Sequence, residues 1–173
     1  HGNSRDLQYG PTAKWPDRCE EWLRFNQRIK PETRNFAAWE KEISALEAGD
    51  ITNPPRQHGV LFAGSSTIRL WKTLATDFPG LPVINRGFGG SEISDTTHFA
   101  DRIIFPYAPR QIVFRAGGND LWAGKTPTEV CADFKEFVAT VHARLPETEI
   151  LFLAWNNSPL RSAGAARERE LNR

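Results

Sequence analysis

The chain has 173 residues, 39% of them hydrophobic, and a formal net charge of +1. That length supports one domain with a real core, and the near-neutral balance gives none of the charge excess that marks binding to nucleic acid or a membrane surface. No apolar run approaches the ~20 residues needed to cross a bilayer. Cys19 and Cys131, the only two cysteines, lack metal-ligand spacing and either pair or stay free.

Residues 1–33 are rich in Pro, Gly, Arg and Asp, with Trp15, Trp22 and Phe25 spaced through them. They read as an irregular N-terminal arm with a short helix near 19–28. The α/β domain is expected over 34–173. Asn35 is placed to cap a helix reaching about Ala48, and Gly49-Asp50 to end it. Phe36, Trp39, Ile43 and Leu46 fall at helical spacing and give that helix one apolar face, suited to packing on a sheet. Pro54-Pro55 makes a stiff connection onward.

From Val60 the pattern alternates. A strand over 60–63 precedes a short helix near 67–75. A strand over 82–84 leads into the Gly-rich turn 85–90 and a helix over about 91–104. A strand over 111–115 leads into a turn at 116–120 and a helix over about 128–144. A strand over 149–155, a turn at 156–159 and the beginning of a helix in 161–173 complete the order. Alternating strands and helices predict a parallel sheet covered on both faces.

In such a sheet every strand's carboxyl end lies on one edge, where ligands bind at the point of strand-order reversal. Ser66, the pair Gly89-Gly90, and Asn119 each closely follow a strand. The separations, 24 residues from 66 to 90 and 29 from 90 to 119, are about one βα unit each. With the first strand between the second and third, the three turns converge. Ser66 Oγ then attacks a carbonyl carbon. The backbone N–H groups of Ser66 and Gly90 and the side-chain amide of Asn119 hold the oxyanion. Gly suits the second position because the backbone must come close to substrate. Asn suits the third because its NH₂ donates without adding charge. Each residue also has a plainer explanation: Ser66 as a helix cap, the glycines as turn residues, and Asn119-Asp120 as an Asx-turn with a cap.

Taken together these residues resemble the SGNH hydrolases, the GDSL-type esterases and lipases. Phe62-Ala63-Gly64-Ser65-Ser66 is similar to the family's first signature, Asn85-Arg86-Gly87-Phe88-Gly89-Gly90 to the second, and Gly117-Gly118-Asn119-Asp120 to the third. The stretch from Val60 to Pro159 follows the family's order, more than half of the chain. The resemblance implies a flavodoxin-like three-layer α/β/α fold, with four strands present in the order 2-1-3-4 and the fifth, edge strand missing. It implies no cofactor and no metal. The substrate it implies is a small ester of an acylated sugar, a lipid or a small alcohol, with Ser66 as nucleophile and Ser66, Gly90 and Asn119 as oxyanion donors. Ser65 stands where many members carry Asp.

The family's base is a His in an Asp-x-x-His segment after the fifth strand, and no His follows His142. The expectation is therefore an N-terminal part of a longer enzyme, able to associate through its exposed sheet edge or with the missing C-terminal segment. Asp95-Thr96-Thr97-His98 has the same spacing but precedes the third signature, and reads as a rim pair. His58 lies at the opposite sheet edge, His142 late in a helix and His1 at the terminus.

Two other readings compete with this one. The stretch from Gly118 to Thr126 ends in Gly-Lys-Thr like a phosphate-binding loop, but has five residues between the glycines where that loop has four. Gly87-Phe88-Gly89 begins a dinucleotide fingerprint, but Glu92 occupies the third Gly. A non-catalytic carbohydrate- or ester-binding module of the same fold is the alternative, with Trp122 and Trp155 as stacking surfaces.

Overall fold

The computed structural model describes residues 34–154. The expected N-terminal arm and its helix, the turn at 156–159 and the last helix lie outside the described residues, as do Cys19 and Trp155. Cys131 is disulfide-bonded.

Four strands form one parallel sheet: β1 (Val60–Gly64), β2 (Val83–Gly87), β3 (Gln111–Arg115) and β4 (Glu149–Phe152), in the order β2-β1-β3-β4. β1 is flanked on both sides and all five of its residues are buried. Register sorts the side chains into two layers. Leu61, Ile84, Ile112 and Ile150 align on one face and join Ala63 and Phe114 in the larger core. Val60, Phe62, Val83 and Val113 belong to a smaller core on the other face.

The larger core is closed by α4 (Ile93–His98), α5 (Ala100–Ile103) and α7 (Pro127–Arg144), which contribute Ile93, Ile103, Phe134, Phe137 and Val141. The smaller one is closed by α2 (Ser66–Arg69) and α3 (Leu74–Asp77), through Ile68 and Leu74. The result is a three-layer α/β/α arrangement. Its central strand carries little but aliphatic and aromatic side chains because both of its faces are covered.

The structure corrects several element boundaries. Asn35 does cap, accepting a hydrogen bond from the Ala37 N–H, but it opens a 3₁₀ turn, Phe36–Trp39, that continues into α1 (Glu40–Thr52). α1 runs through Gly49-Asp50 because tertiary bonds outweigh the ~1 kcal/mol cost of a helical Gly: Asp50 accepts from Arg86 at 2.5 Å and from the Tyr107 hydroxyl. α1 packs against α5, with Arg102 bridging to Glu40 at 2.8 Å and Glu47 at 2.6 Å, and its Ile43 joins Leu61 and Ile84 of the sheet in the larger core.

β2 extends through Asn85-Arg86-Gly87, which the sequence places in a turn. Polar residues are tolerated there because they are partnered. The Asn85 amide donates to the Ile68 carbonyl at 2.7 Å, and Arg86 lies over the Tyr107 ring. The single helix expected over 67–75 is two separate turns, α2 and α3. The second is set by Asp77, which accepts from Trp71 Nε1 and Thr73 Oγ1. The helix expected over 91–104 begins later, at Ile93, because Glu92 and Asp95 form a capping box, and it breaks at Phe99. β4 ends at Phe152, although the Leu153 N–H still reaches the Phe114 carbonyl at 2.8 Å.

Candidate active site

Gly64, Gly87 and Arg115 are register partners at the carboxyl ends of three adjacent strands. The three expected turns therefore leave the sheet side by side, and hydrogen bonds join them. The Ser65 N–H donates to the Arg115 carbonyl (3.1 Å) and the Phe88 N–H to the Gly64 carbonyl (3.0 Å). The Asn119 amide donates to the Ser91 carbonyl (2.8 Å), and the Ser91 hydroxyl lies 2.9 Å from the Phe88 carbonyl. The chain thus brings together the loops that carry Ser66, Gly90 and Asn119.

Gly64 makes the first turn possible. Its φ of +133° is costly for any other residue, and a Cβ there would lie 2.0 Å from the Arg115 carbonyl oxygen. Gly64→Ala must pry β1 from β3. The expected loss of stability is about 3 kcal/mol or more, measurable by urea denaturation.

Ser66 is the first residue of α2 and is half-buried. The cap explanation does not fit it: Ser65 is the N-cap, and even its side chain makes no capping bond. Among the described residues, the Ser66 N–H and hydroxyl form no hydrogen bond. An N–H in the first helical turn is an orphan donor that favours negative charge nearby.

Gly90 is exposed, has a left-handed φ of +73°, and would meet nothing within 4 Å if it carried a Cβ. The other N–H groups of its turn are spent: Gly87 donates to Asn85 Oδ1, Phe88 to Gly64 and Gly89 to Glu42. Among the described residues the Gly90 N–H has no acceptor. Asn119 is not in an open turn, as expected, but in the helical turn α6 (Gly118–Trp122), started by Gly117 in the left-handed region. Its bond to Ser91 uses one of two amide hydrogens and fixes the plane of the group.

A half-buried charge cluster that the sequence did not reveal adjoins these loops, with Glu92, Asp95 and Asp120 as its buried members. Arg34 pairs with Glu92 and Asp95, and Lys125 with Glu92 (2.8 Å), Asp133 (2.6 Å) and Asp120 (3.4 Å). Asp120 is fully buried and accepts the Ile93 N–H at 3.2 Å, which ties the third loop to the second. Acidic residues flanking two signatures were the only sequence signal of this cluster.

Burial pushes the Asp120 carboxyl up to about 7 from its ordinary 3.8; Lys125 opposes the shift, while Glu92 and Asp133 add to it. The unfolded chain ionises Asp120 near 3.8 while the folded one holds its proton up to about 7, so stability falls as pH rises through that interval and the stabilisation from the neutral form is complete only below 3.8. Wild type should lose about 1.4 kcal/mol per pH unit relative to Asp120→Asn across the window. Urea denaturation of both at several pH values reads this directly. A constant difference would mean that Asp120 is ionised alike in the folded and unfolded chains across the window.

No described histidine attends Ser66. His98 is exposed and stacks on Phe36, with centroids 3.8 Å apart. The rim pair expected of Asp95 and His98 does not form, because Asp95 is fully buried and bound to Arg34 and the Glu92 N–H. His142 Nε2 lies 3.1 Å from the Thr148 carbonyl oxygen. His58 follows α1 with a positive φ, its N–H on the Tyr107 carbonyl. His1 lies outside the described residues. Among the described residues there is no group of three or more metal-ligating side chains, and no helix is long and apolar enough to cross a membrane.

Solved structures of similar fold carry related names. A Streptococcus pneumonia protein provisionally assigned as a platelet activating factor superposes with a TM-score of 0.59 at 20% identity, over 82% of this chain and 60% of that one. A GDSL-like lipase from Bacteroides thetaiotaomicron gives 0.58 at 18% identity, over 80% and 69%. The SGNH-hydrolase family esterase AlinE4 gives 0.51 at 21%, over 66% and 67%. At these identities the likeness is one of fold, and the chain spans about 60% of the length of the first. No curated protein matches the chain significantly. The model of the GDSL-like Lipase/Acylhydrolase family matches residues 56–173, more than half of the sequence and all three signatures, and the chain therefore belongs to that family.

Proposed function

We propose that this chain carries the nucleophile and oxyanion hole of a serine ester hydrolase acting on a small ester of a sugar, lipid or small alcohol. Ser66 Oγ attacks the ester carbonyl carbon, and its proton passes to a base. The carbonyl π electrons move onto oxygen, where the N–H groups of Ser66 and Gly90 and the amide of Asn119 stabilise the charge. Collapse of the tetrahedral intermediate expels the alcohol, which takes the proton, and leaves an acyl group on Ser66. Water then attacks the acyl carbon and releases the acid.

One observation carries the reading: three turns bearing these residues leave adjacent strands at one register and are hydrogen-bonded together. Two of the three intended donors, the Ser66 and Gly90 N–H groups, have no acceptor among the described residues. Family membership supports acyl-ester hydrolysis. No described histidine serves as the base in this reading: His98 stacks on Phe36, His142 lies against the Thr148 carbonyl, and His58 precedes β1 at the opposite edge of the sheet. The experiment is to treat the full-length protein with a fluorophosphonate and locate the adduct by peptide mass spectrometry. Modification of Ser66 supports the reading. Full ester turnover with Ser66 unmodified overturns it.

A further inference from the structure

We propose that Trp39 and Glu42, at the start of the first described helix, are positioning residues that aim the Gly90 N–H at the reacting oxygen. The inference rests on the Ser66 chemistry proposed above and adds residues outside all three signatures.

The argument begins with the peptide unit between Gly89 and Gly90. It is planar and trans, as nearly all non-proline peptides are, so its C=O and N–H point in opposite directions. Trp39 Nε1 donates to the Gly89 carbonyl at 2.8 Å. Holding that oxygen toward Trp39 turns the Gly90 N–H away from it, where it meets no acceptor among the described residues. The preceding peptide is held the same way. The Gly89 N–H donates to Glu42 Oε2 at 2.8 Å, and the Phe88 carbonyl on its other side accepts from Ser91 Oγ at 2.9 Å.

Two consecutive peptide planes are therefore fixed from opposite sides. Without such bonds a turn containing two adjacent glycines has more freedom than any other dipeptide, and its peptides can flip. An oxyanion donor must be set before the charge develops, because reorientation during the reaction forfeits most of its value.

The clamp is itself supported. The Trp39 ring meets Phe88 edge-on, with centroids 6.4 Å apart, and the Arg34 guanidinium lies 5.1 Å above it. Glu42 Oε1 lies 3.6 Å from Arg69, one helical turn beyond Ser66 in α2. Glu42 thus touches both the oxyanion turn and the nucleophile helix.

Three substitutions test this in the full-length protein. Trp39→Phe removes the donor and keeps most of the ring. Glu42→Ala removes the acceptor, and Glu42→Gln keeps an oxygen for the Gly89 N–H. Trp39→Phe and Glu42→Ala should each lower kcat about 10- to 100-fold with KM within a few-fold, since a slightly misplaced donor costs rate rather than binding. Their affinity for a boronic acid that mimics the tetrahedral intermediate should fall in parallel, and Glu42→Gln should recover most of both.

Wild-type kcat and boronate affinity in folded Trp39→Phe and Glu42→Ala, alongside an inactive Ser66→Ala, would overturn the clamp and leave the proposed chemistry standing. Turnover in Ser66→Ala would remove the chemistry itself. Should Trp39→Phe not fold, the Glu42 pair decides the matter: equal rates for Glu42→Ala and Glu42→Gln contradict the proposal.

Discussion

Ser66→Ala in the full-length protein is expected to lower kcat for a chromogenic acetate ester by about 10⁴- to 10⁶-fold, because no acyl-enzyme can form. Some catalysis should remain. The proposed oxyanion donors persist in the variant, and such donors alone give on the order of 10³-fold over water. Stability should barely change. Ser66 is half-buried, its hydroxyl has no partner among the described residues, and Ser65, not Ser66, is the helix N-cap. A spectrophotometric assay with matched thermal melts separates the two effects. Turnover within tenfold of wild type would mean that another residue does the attacking.

Asn119→Ala carries the second-largest expected effect, a fall in kcat of about 10²- to 10³-fold. The side chain has two tasks. It donates to the Ser91 carbonyl at 2.8 Å, which holds the second and third loops together, and in the proposed mechanism it also supplies an oxyanion donor without a net charge. Losing the structural bond costs about 1 kcal/mol of stability. The larger loss falls on the transition state, where charge on oxygen has nothing else of comparable geometry to replace the amide. KM should stay within a few-fold, because the ground-state carbonyl makes little demand on the donor. A rise in KM at constant kcat, measured by steady-state kinetics, would place Asn119 in substrate binding instead.

The strand–helix alternation was readable because the strands are buried on both faces. Val60–Ala63 and Ile112–Phe114 are continuous apolar runs that suit a parallel sheet covered on both faces. The convergence of the Ser66, Gly90 and Asn119 loops followed from strand order, which chain alternation and the three signatures together imply.

Polar residues with distant partners were illegible. Asn85 and Arg86 look like turn residues, yet both lie within β2, because Ile68 and Asp50 meet them from elements far away in sequence. Asp50 carries α1 past a Gly-Asp pair that locally reads as a stop. Trp39 shows its apolar ring in the helical pattern, but its indole N–H, which bonds the Gly89 carbonyl, leaves no trace in any periodicity. The same holds for Arg34 and Lys125, whose carboxylate partners come from several elements. Periodicity records which face is dry, not which hydrogen bond crosses it.

The central claim is that three loops build one cradle for a reacting acyl group, with Ser66 as its attacking atom. A crystal structure of the full-length protein after reaction with a fluorophosphonate tests it most directly. The account predicts phosphorus bonded to Ser66 Oγ and the phosphoryl oxygen within roughly 2.7–3.1 Å of the Ser66 N, Gly90 N and Asn119 Nδ2 atoms. An adduct on another residue, or a phosphoryl oxygen turned away from those three donors, would contradict it.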